Sequence, residues 1–585
     1  MKIARLIRKY AFPLALLSAL ACAFAAPYLI PINPDSAVFR SASLGLILLL
    51  ASTSPLSKAF KEASMAQLLC GMAFGLLFSL ALSLGAELSV YGGLLPGLGS
   101  MLRRLAVPVM AAPFFGGLAA RLFLIQRSAG TSLRIPFWGF MGILLICWLP
   151  LLIAYYPGML NYDFHTEYVQ YQAGQWDNRH PLLYIAFCYG IFSLGDALAQ
   201  PELAVFAVTL LRMTVLAAAL AYGCVFVQRR RASGWLLLGM TALYALLPIY
   251  SVMAVSSAKD TPFAAAVLVL SLLSWEALEN PKAFFSDKRK LIAFSLSVLF
   301  TWHMRKNGVA VLLMLPLLIA GIKGFRAQMT KLCAVSAACA SLLAFALNAA
   351  LSPAVQPSFQ TYSLPAQQLA RAYNLGDMTE EERAALRSWY VDSEWGLQLL
   401  PHLADAAKGS LDPEKLAREG DDFMDLWARV GKKNLRIYAE AFLMLNIGSW
   451  YPDDTTHATI YQPYGLDKGY LQTDEYDLSE YGIHKHNLLP GVRDWVDQIC
   501  HRNAYLKYPV ISQLLCTATP LWIILFSIFA LIAQKRGRLA LCASGVLALF
   551  ISYLLGPCTL PRYMLPLFCL APVLLLLILF CSEEK

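Results

Sequence analysis

The chain has 585 residues, of which 58% are hydrophobic and only 14% charged, with a formal net charge of +10. Soluble domains carry roughly a quarter charged residues, so a soluble enzyme is excluded. The basic residues sit in short loops between apolar runs, not in the single patch that a nucleic-acid surface needs, so no nucleic-acid partner is expected. Thirteen cysteines lie mostly inside the apolar runs, without zinc-type pairing or a dense disulfide pattern. They read as small apolar residues and fix no redox compartment.

Lys2, Arg5, Arg8 and Lys9 precede an apolar run at 10–30. At about 20 residues it is long enough to cross a bilayer, so an uncleaved first span with a cytoplasmic N-terminus is expected. Runs follow at 38–56, 64–86, 104–125 and 137–156, with Lys58, Lys61, Arg127 and Arg134 on the N-terminal side, in keeping with the positive-inside rule. The segment 181–196 is also apolar, but Arg229, Arg230 and Arg231 after the run at 201–227 belong in the cytoplasm by the same rule. The segment is therefore expected to lie in the interface or re-enter the membrane. Runs at 234–254, 261–278, 290–304, 308–322 and 331–352 complete the alternation.

From 353 to 507 the long apolar runs stop. This segment holds 15 Lys or Arg against 23 Asp or Glu, a balance of −8 that leaves +18 for the rest, as expected of an extracytoplasmic insert. Thr379 and Glu382 predict a capping box, Asp412-Pro413 opens a second helix, and Gly431 is expected to close it. Beyond Trp450 the composition predicts loop and short strand. Spans at 508–533, 538–556 and 562–581 follow.

The expected fold is an all-α polytopic membrane protein of about fourteen transmembrane helices, with a mixed, mainly helical extracytoplasmic domain and both termini cytoplasmic. The expected divisions are an accessory N-terminal set of helices (1–135) and a membrane core (136–352) with its first outer loop at 156–200. The insert (353–507) and the C-terminal helices (508–585) complete the chain.

Charges at outer span ends run against this bias and need partners. Asp163 lies in the first outer loop with Glu167 and His180 nearby; Lys259-Asp260 begins a span; Arg305-Lys306 occupies a tight turn; Arg562-Tyr563 begins the last span. Cations beside carboxylates at headgroup depth suit a phosphate-linked lipid donor. Arg grips phosphate with two parallel bonds, Lys adds a point charge, and both stabilise charge building on a leaving phosphate. An acceptor hydroxyl needs a carboxylate to take its proton, and Asp163 is the candidate. Lys259, Arg305 and Arg562 are the candidate phosphate ligands. Glu167, His180, Asp260, Lys306 and Tyr563 are candidate substrate contacts, and the blander alternative for Asp260 is a helix cap. His484-Lys485-His486 has a metal-like spacing, but a lone pair of loop histidines is usually not a ligand. Asp453-Asp454 reads as a turn.

The stretches Tyr156-Pro157-Gly158, Asn161-Tyr162-Asp163 and Asn178-Arg179-His180-Pro181 resemble those of the C superfamily of polytopic glycosyltransferases (GT-C). Ser257-Ala258-Lys259-Asp260-Thr261-Pro262-Phe263, Arg305-Lys306-Asn307-Gly308 and Pro561-Arg562-Tyr563-Met564-Leu565-Pro566 are similar to a bacterial branch known as a domain of unknown function. The resemblance covers 137–352 and the final spans. It implies a polyprenyl-phosphate-linked sugar donor, membrane lipids and an envelope acceptor (glycan, lipid or protein) as partners, extracytoplasmic transfer, and inversion with Asp163 as base. Many relatives carry two adjacent acids, whereas Phe164 follows Asp163 here. Glu167 is the nearest second acid, which weakens the case for a divalent ion held between neighbouring carboxylates, since such ions want several oxygen ligands; no cofactor is expected, and a divalent metal is left open without support. A transporter or flippase, and an O-antigen ligase or polymerase, are the competing readings.

Overall fold

A computed structural model describes residues 2–29, 51–125, 134–178, 180–230, 232–354, 359–452, 477–501 and 504–579. These residues form helices and isolated backbone bridges, with no strand among them. Eight helices are long and apolar enough to cross a membrane, or nine if the pair Gly234–Leu246 and Pro248–Val255 is one span bent by 47°. The chain is an all-α membrane protein. The bend falls where Pro248 follows Leu247, whose backbone is extended, as the residue before a proline prefers. Other expected runs appear as shorter apolar helices: Leu182–Ala197, Gly308–Gly321, Thr519–Ala533 and Gly537–Tyr553. Most of the expected run at 38–56 lies outside the described residues, as do Arg179, Arg231, Asp453, Asp454 and His457.

The helix Asp260–Glu279 is the most enclosed of the candidate spans. It packs against Pro201–Arg229, Lys288–Met304 and Pro561–Leu579, because small residues such as Ala264, Ala265, Ser271, Ser274 and Ala277 lie along its buried surface. Twenty residues at about 1.5 Å each make a rod of roughly 30 Å, the thickness of a bilayer's hydrocarbon. Charge collects at its two ends. At one end stand Lys259 and Asp260; at the other, Glu276 pairs with Lys290 at 2.7 Å, while Glu279 accepts from Arg230 Nε at 3.1 Å and faces Arg536 at 3.7 Å.

Near the N-terminus, Met65–Tyr91 and Leu98–Phe123 form a tight helical hairpin. A Cβ on Gly75 would come within 2.5 Å of the Ala112 carbonyl and the Gly116 amide, so glycine is what allows the two backbones to meet. The hairpin leans on the C-terminal helices through Phe74 and Phe78, each edge-on to Trp522.

The described part of the insert is mainly helical, with turns, an open stretch at 484–489 and isolated bridges such as Leu478 to Ile483, and it has its own core, including Leu369, Trp389, Phe423, Leu426, Val430 and Tyr438. Thr379 and Glu382 form the reciprocal capping box, and Asp412 caps the helix Pro413–Lys433. Gly431 does not close that helix. It is buried inside it, where a Cβ would strike the Tyr438 ring, and Asn434 ends the helix instead. The insert grips the hairpin tip with a buried pair. Arg371 and Glu440 meet at 2.9 Å, Arg371 donates to the Gly92 carbonyl at 2.7 Å, and the Leu94 amide donates to Glu440 at 3.1 Å. On its other side, the Ala404 amide donates to the Pro557 carbonyl at 2.7 Å, and Leu403 packs with Cys558 and Leu560 ahead of the last helix.

Breaking one partner of a buried ion pair costs about 3–5 kcal/mol, whereas replacing both with apolar residues of similar volume costs far less. Arg371→Met or Glu440→Leu alone is therefore expected to lower the thermal midpoint of the purified chain and open the 92–97 loop to protease. The double variant recovers most of both; equal damage in singles and double would deny the pair this role.

Candidate functional site

Asp163 is placed by its own stretch of sequence. Asn161 caps the helix Tyr162–Gln172, its side chain accepting from the Phe164 amide at 3.0 Å. Phe164 and Tyr168, four apart, bury one stripe of this helix against Phe192, with ring centroids at 5.7 and 4.9 Å. That leaves Asp163 and Glu167, also four apart, on the adjoining stripe. The segment leading in is stitched to the one that precedes Lys259. The Met159 amide donates to the Val255 carbonyl at 3.1 Å, the Ser257 amide to the Met159 carbonyl at 2.9 Å, and the Asn161 amide to Ser257 Oγ at 3.0 Å. A Cβ at Gly158 would meet Thr209 Oγ1 at 2.5 Å, which explains the glycine after Tyr156-Pro157.

Three carboxylates and three cations then alternate through the site. Arg305 pairs with Asp260. Arg562 Nη1 lies 3.9 Å from Asp260 Oδ2 and 3.1 Å from Asp163 Oδ2. Lys259 Nζ meets the same Asp163 oxygen at 2.8 Å, His180 Nδ1 at 3.0 Å and Glu167 Oε1 at 3.8 Å. His180 Nδ1 is 3.3 Å from Glu167 Oε1. Tyr563 is stacked on Tyr553 at 5.5 Å, and the Arg305 guanidinium sits 4.7 and 5.5 Å from these two rings. The turn that carries Arg305 is close-packed: a Cβ on Gly308 would overlap the Thr301 carbonyl. Of the nine residues singled out from sequence, eight join this network, and Lys306 is exposed at its edge, within electrostatic reach of Asp177 and Lys259. Asp260 does not cap its helix. Its side chain, 2% exposed, makes no cap bond to the first turn and is spent on Arg305 and Arg562.

The two acids on one helix stripe titrate in opposite directions. Burial pushes the Asp163 carboxyl upward, but Lys259, Arg562 and His180 outweigh it and hold the group well below the usual carboxylate range. Burial raises Glu167 to about 7, with the like charge of Asp163 adding to it and Lys259 and Arg212 opposing it. Asp163 is thus a fixed anion at neutral pH, and Glu167 is poised between its two forms.

Residues not singled out from sequence complete the floor. Gln170 Nε2 donates to Asp177 at 2.7 Å, and the Asn178 amide donates to the Ala354 carbonyl at 3.1 Å, together holding the loop that carries His180. Arg212, 4% exposed, hydrogen-bonds Tyr184, reaches Cys188 Sγ at 3.7 Å and lies 5.5 Å from the Phe164 ring. It is the one charged residue between 203 and 228, and an ionisable group inside an apolar run was the available signal. His484 and His486 dock on Glu202 instead of pairing with each other: the His484 amide and His486 Nε2 reach it at 2.9 and 3.2 Å. Among the described residues, no three His, Cys, Asp or Glu side chains gather around one point as ion ligands.

The profile of the family of unknown function DUF6020 matches residues 173–585, which include His180, Lys259, Arg305 and Arg562. The chain belongs to this family. Asp163 and Glu167 stand just ahead of the matched region. No curated protein and no solved structure matches the chain.

A carboxyl raised by folding favours the folded state while neutral. For Glu167 that contribution is fully present below about pH 4.5 and is lost as pH rises through about 7. Glu167→Gln is therefore expected to match the parent's stability near pH 4 and exceed it above pH 8 by on the order of 3 kcal/mol. Asp163→Asn has the opposite profile, since a depressed carboxyl contributes above its unfolded value and loses that contribution on acidification. Thermal melts of the three chains from pH 2 to 9 check both signs, the pH-dependence of the Asp163 difference appearing only below about pH 4.

Proposed function

We propose that the chain is an integral-membrane glycosyltransferase with a GT-C-like architecture of about fourteen spans. It moves a sugar from a polyprenyl-phosphate donor to an acceptor hydroxyl with inversion. The observation that carries this reading is the sharing of Asp163 Oδ2 by Lys259 and Arg562. A phosphate entering beside those cations shares them with Asp163, and as Arg562 turns to it and the charge of Lys259 is divided between the two anions the carboxylate regains basicity. Donor binding thereby creates the base that the acceptor hydroxyl needs. Arg562 and Lys259 then face the oxygen on which charge accumulates as the glycosyl–phosphate bond breaks, while Asp260 and the Tyr553 and Tyr563 rings keep Arg305 aimed beside them.

We assign this end of the bundle to the extracytoplasmic side, since Arg230, Lys290 and Arg536 gather at the other end of the Asp260–Glu279 helix and follow the positive-inside bias. The insert, which touches the lead-in to Arg562 at Pro557, is then positioned to select the envelope acceptor. A transporter reading draws on Arg212, midway along Pro201–Arg229. The clustering of the other charges at helix ends favours the enzyme, because transport sites sit near the midplane.

The test is transfer of radiolabelled sugar from purified polyprenyl-phosphate donors by the full chain, with Asp163→Asn at matched folded amounts. Loss of at least about 100-fold in kcat, with donor binding kept or tightened, is expected. Full turnover by Asp163→Asn would remove Asp163 as base, and no transfer by the parent from any donor would move the transporter and ligase readings ahead.

A further inference from the structure

Glycosyl transfer to a hydroxyl releases one proton per turnover, and Asp163, gripped by two cations, is a poor place to leave it. The proton has a path inward. Lys259 Nζ touches Asp163 on one side and His180 on the other, and His180 Nδ1 stands 3.3 Å from Glu167. Glu167 is 2% exposed and lies one turn along the helix that carries Asp163, with Lys259 Nζ 3.8 Å from its Oε1.

We propose that Glu167, with His180, is the proton store of the site: Lys259 hands it a proton as Asp163 delivers the one taken from the acceptor. This rests on the transferase reading. The acceptor O–H bond breaks and its proton goes to Asp163, while the oxygen bonds the anomeric carbon. The anomeric carbon–oxygen bond breaks and its electron pair stays on the leaving phosphate. The Lys259 ammonium passes a proton through His180 to the Glu167 carboxylate and regains one from Asp163, so charge and protons balance. Glu167 leaves its proton to solvent or to the product phosphate before the next cycle.

The charged and titratable groups facing Glu167 are Asp163 on its own helix, Lys259 and His180 across from it, and Arg212, Tyr184, Cys188 and Tyr189 on the helices beneath. Of these, Lys259 is the group that the product phosphate, with two negative charges to the donor's one, draws away after transfer. Losing its nearest lysine at that stage raises the affinity of Glu167 for the proton it has received. Phosphate binding and proton uptake are therefore linked, and the link is measurable without any turnover.

The experiment is titration calorimetry of the full chain in detergent with a short-chain polyprenyl phosphate at pH 7, in two buffers of different ionisation enthalpy. The parent is expected to take up a substantial fraction of a proton per phosphate bound. Glu167→Gln is expected to bind within a few-fold of the parent and take up none. With the sugar-bearing donor, Glu167→Gln is expected to lose about 10- to 100-fold in kcat at constant donor KM, and to lose the limb of the pH–kcat profile that lies near neutrality. Equal proton uptake in both chains, or a pH–kcat profile for Glu167→Gln that merely scales the parent's, overturns the role of Glu167 and leaves the transferase reading standing. Failure of every chain to bind the phosphate overturns the donor assignment, and the relay with it.

Discussion

The site turns on one carboxylate oxygen claimed by two cations. Asp163 Oδ2 is met by Lys259 from one direction and Arg562 from another, and the surrounding structure is what brings those three chain segments to a common point. The backbone stitches between 159–161 and 255–257 fix Asp163 against Lys259. The packing of Asp260–Glu279 on Pro561–Leu579 fixes Lys259 and Asp260 against Arg562. Each partly buried charge alone would cost several kcal/mol, and alternation of sign lets each one compensate its neighbour. Such a network is a poor source of net stability, and its contacts tie the segments at 163, 259–260, 305 and 562 to one another.

The network also explains why acids of one type behave differently. Asp163 and Glu167 occupy the same helix stripe and see the same lysine, at 2.8 and 3.8 Å. The first has Arg562 in direct contact and partial exposure; the second is almost fully enclosed, with Lys259 at the longer distance and Arg212 acting on it without a direct ion pair. Two carboxyls with separated proton affinities are a common arrangement where protons move.

Much of this was legible in the sequence because breaking a rule leaves a mark. Lys259, Arg305 and Arg562 stood out as cations at span ends where the bias disfavours them, and Asp163 as an acid beside a Pro-Gly turn. What the sequence hid was the pairing. Asp260 directly precedes a helix and so looks like a cap, and its true partners arrive 45 and 302 positions later in the chain. Gly431 looks like a helix stop because glycine often is one, yet here it admits the Tyr438 ring. Tyr553 carried no signal, since one tyrosine at a span end resembles any interfacial aromatic. Arg212 was visible as a lone charge in an apolar run, and the three other cations drew attention away from it. Hydropathy marked the apolar runs, but length separates eight clear spans from the shorter helices, and broken helices such as Gly308–Gly321 follow local packing that hydropathy does not record.

The separation of Asp163 from Arg562 by 399 positions has a consequence for how the protein is made. Ribosomes deliver helices to the membrane in order, and Arg562 sits at the start of the final one. While earlier helices assemble, Asp163 has Lys259 and His180 to answer it but not Arg562, and Asp260 waits for its arginines until the turn at 305 and then the helix Pro561–Leu579 are inserted. The charged centre closes only when the C-terminal helix has been threaded and docked. Until then Asp163 and Asp260 lack the arginine that they share.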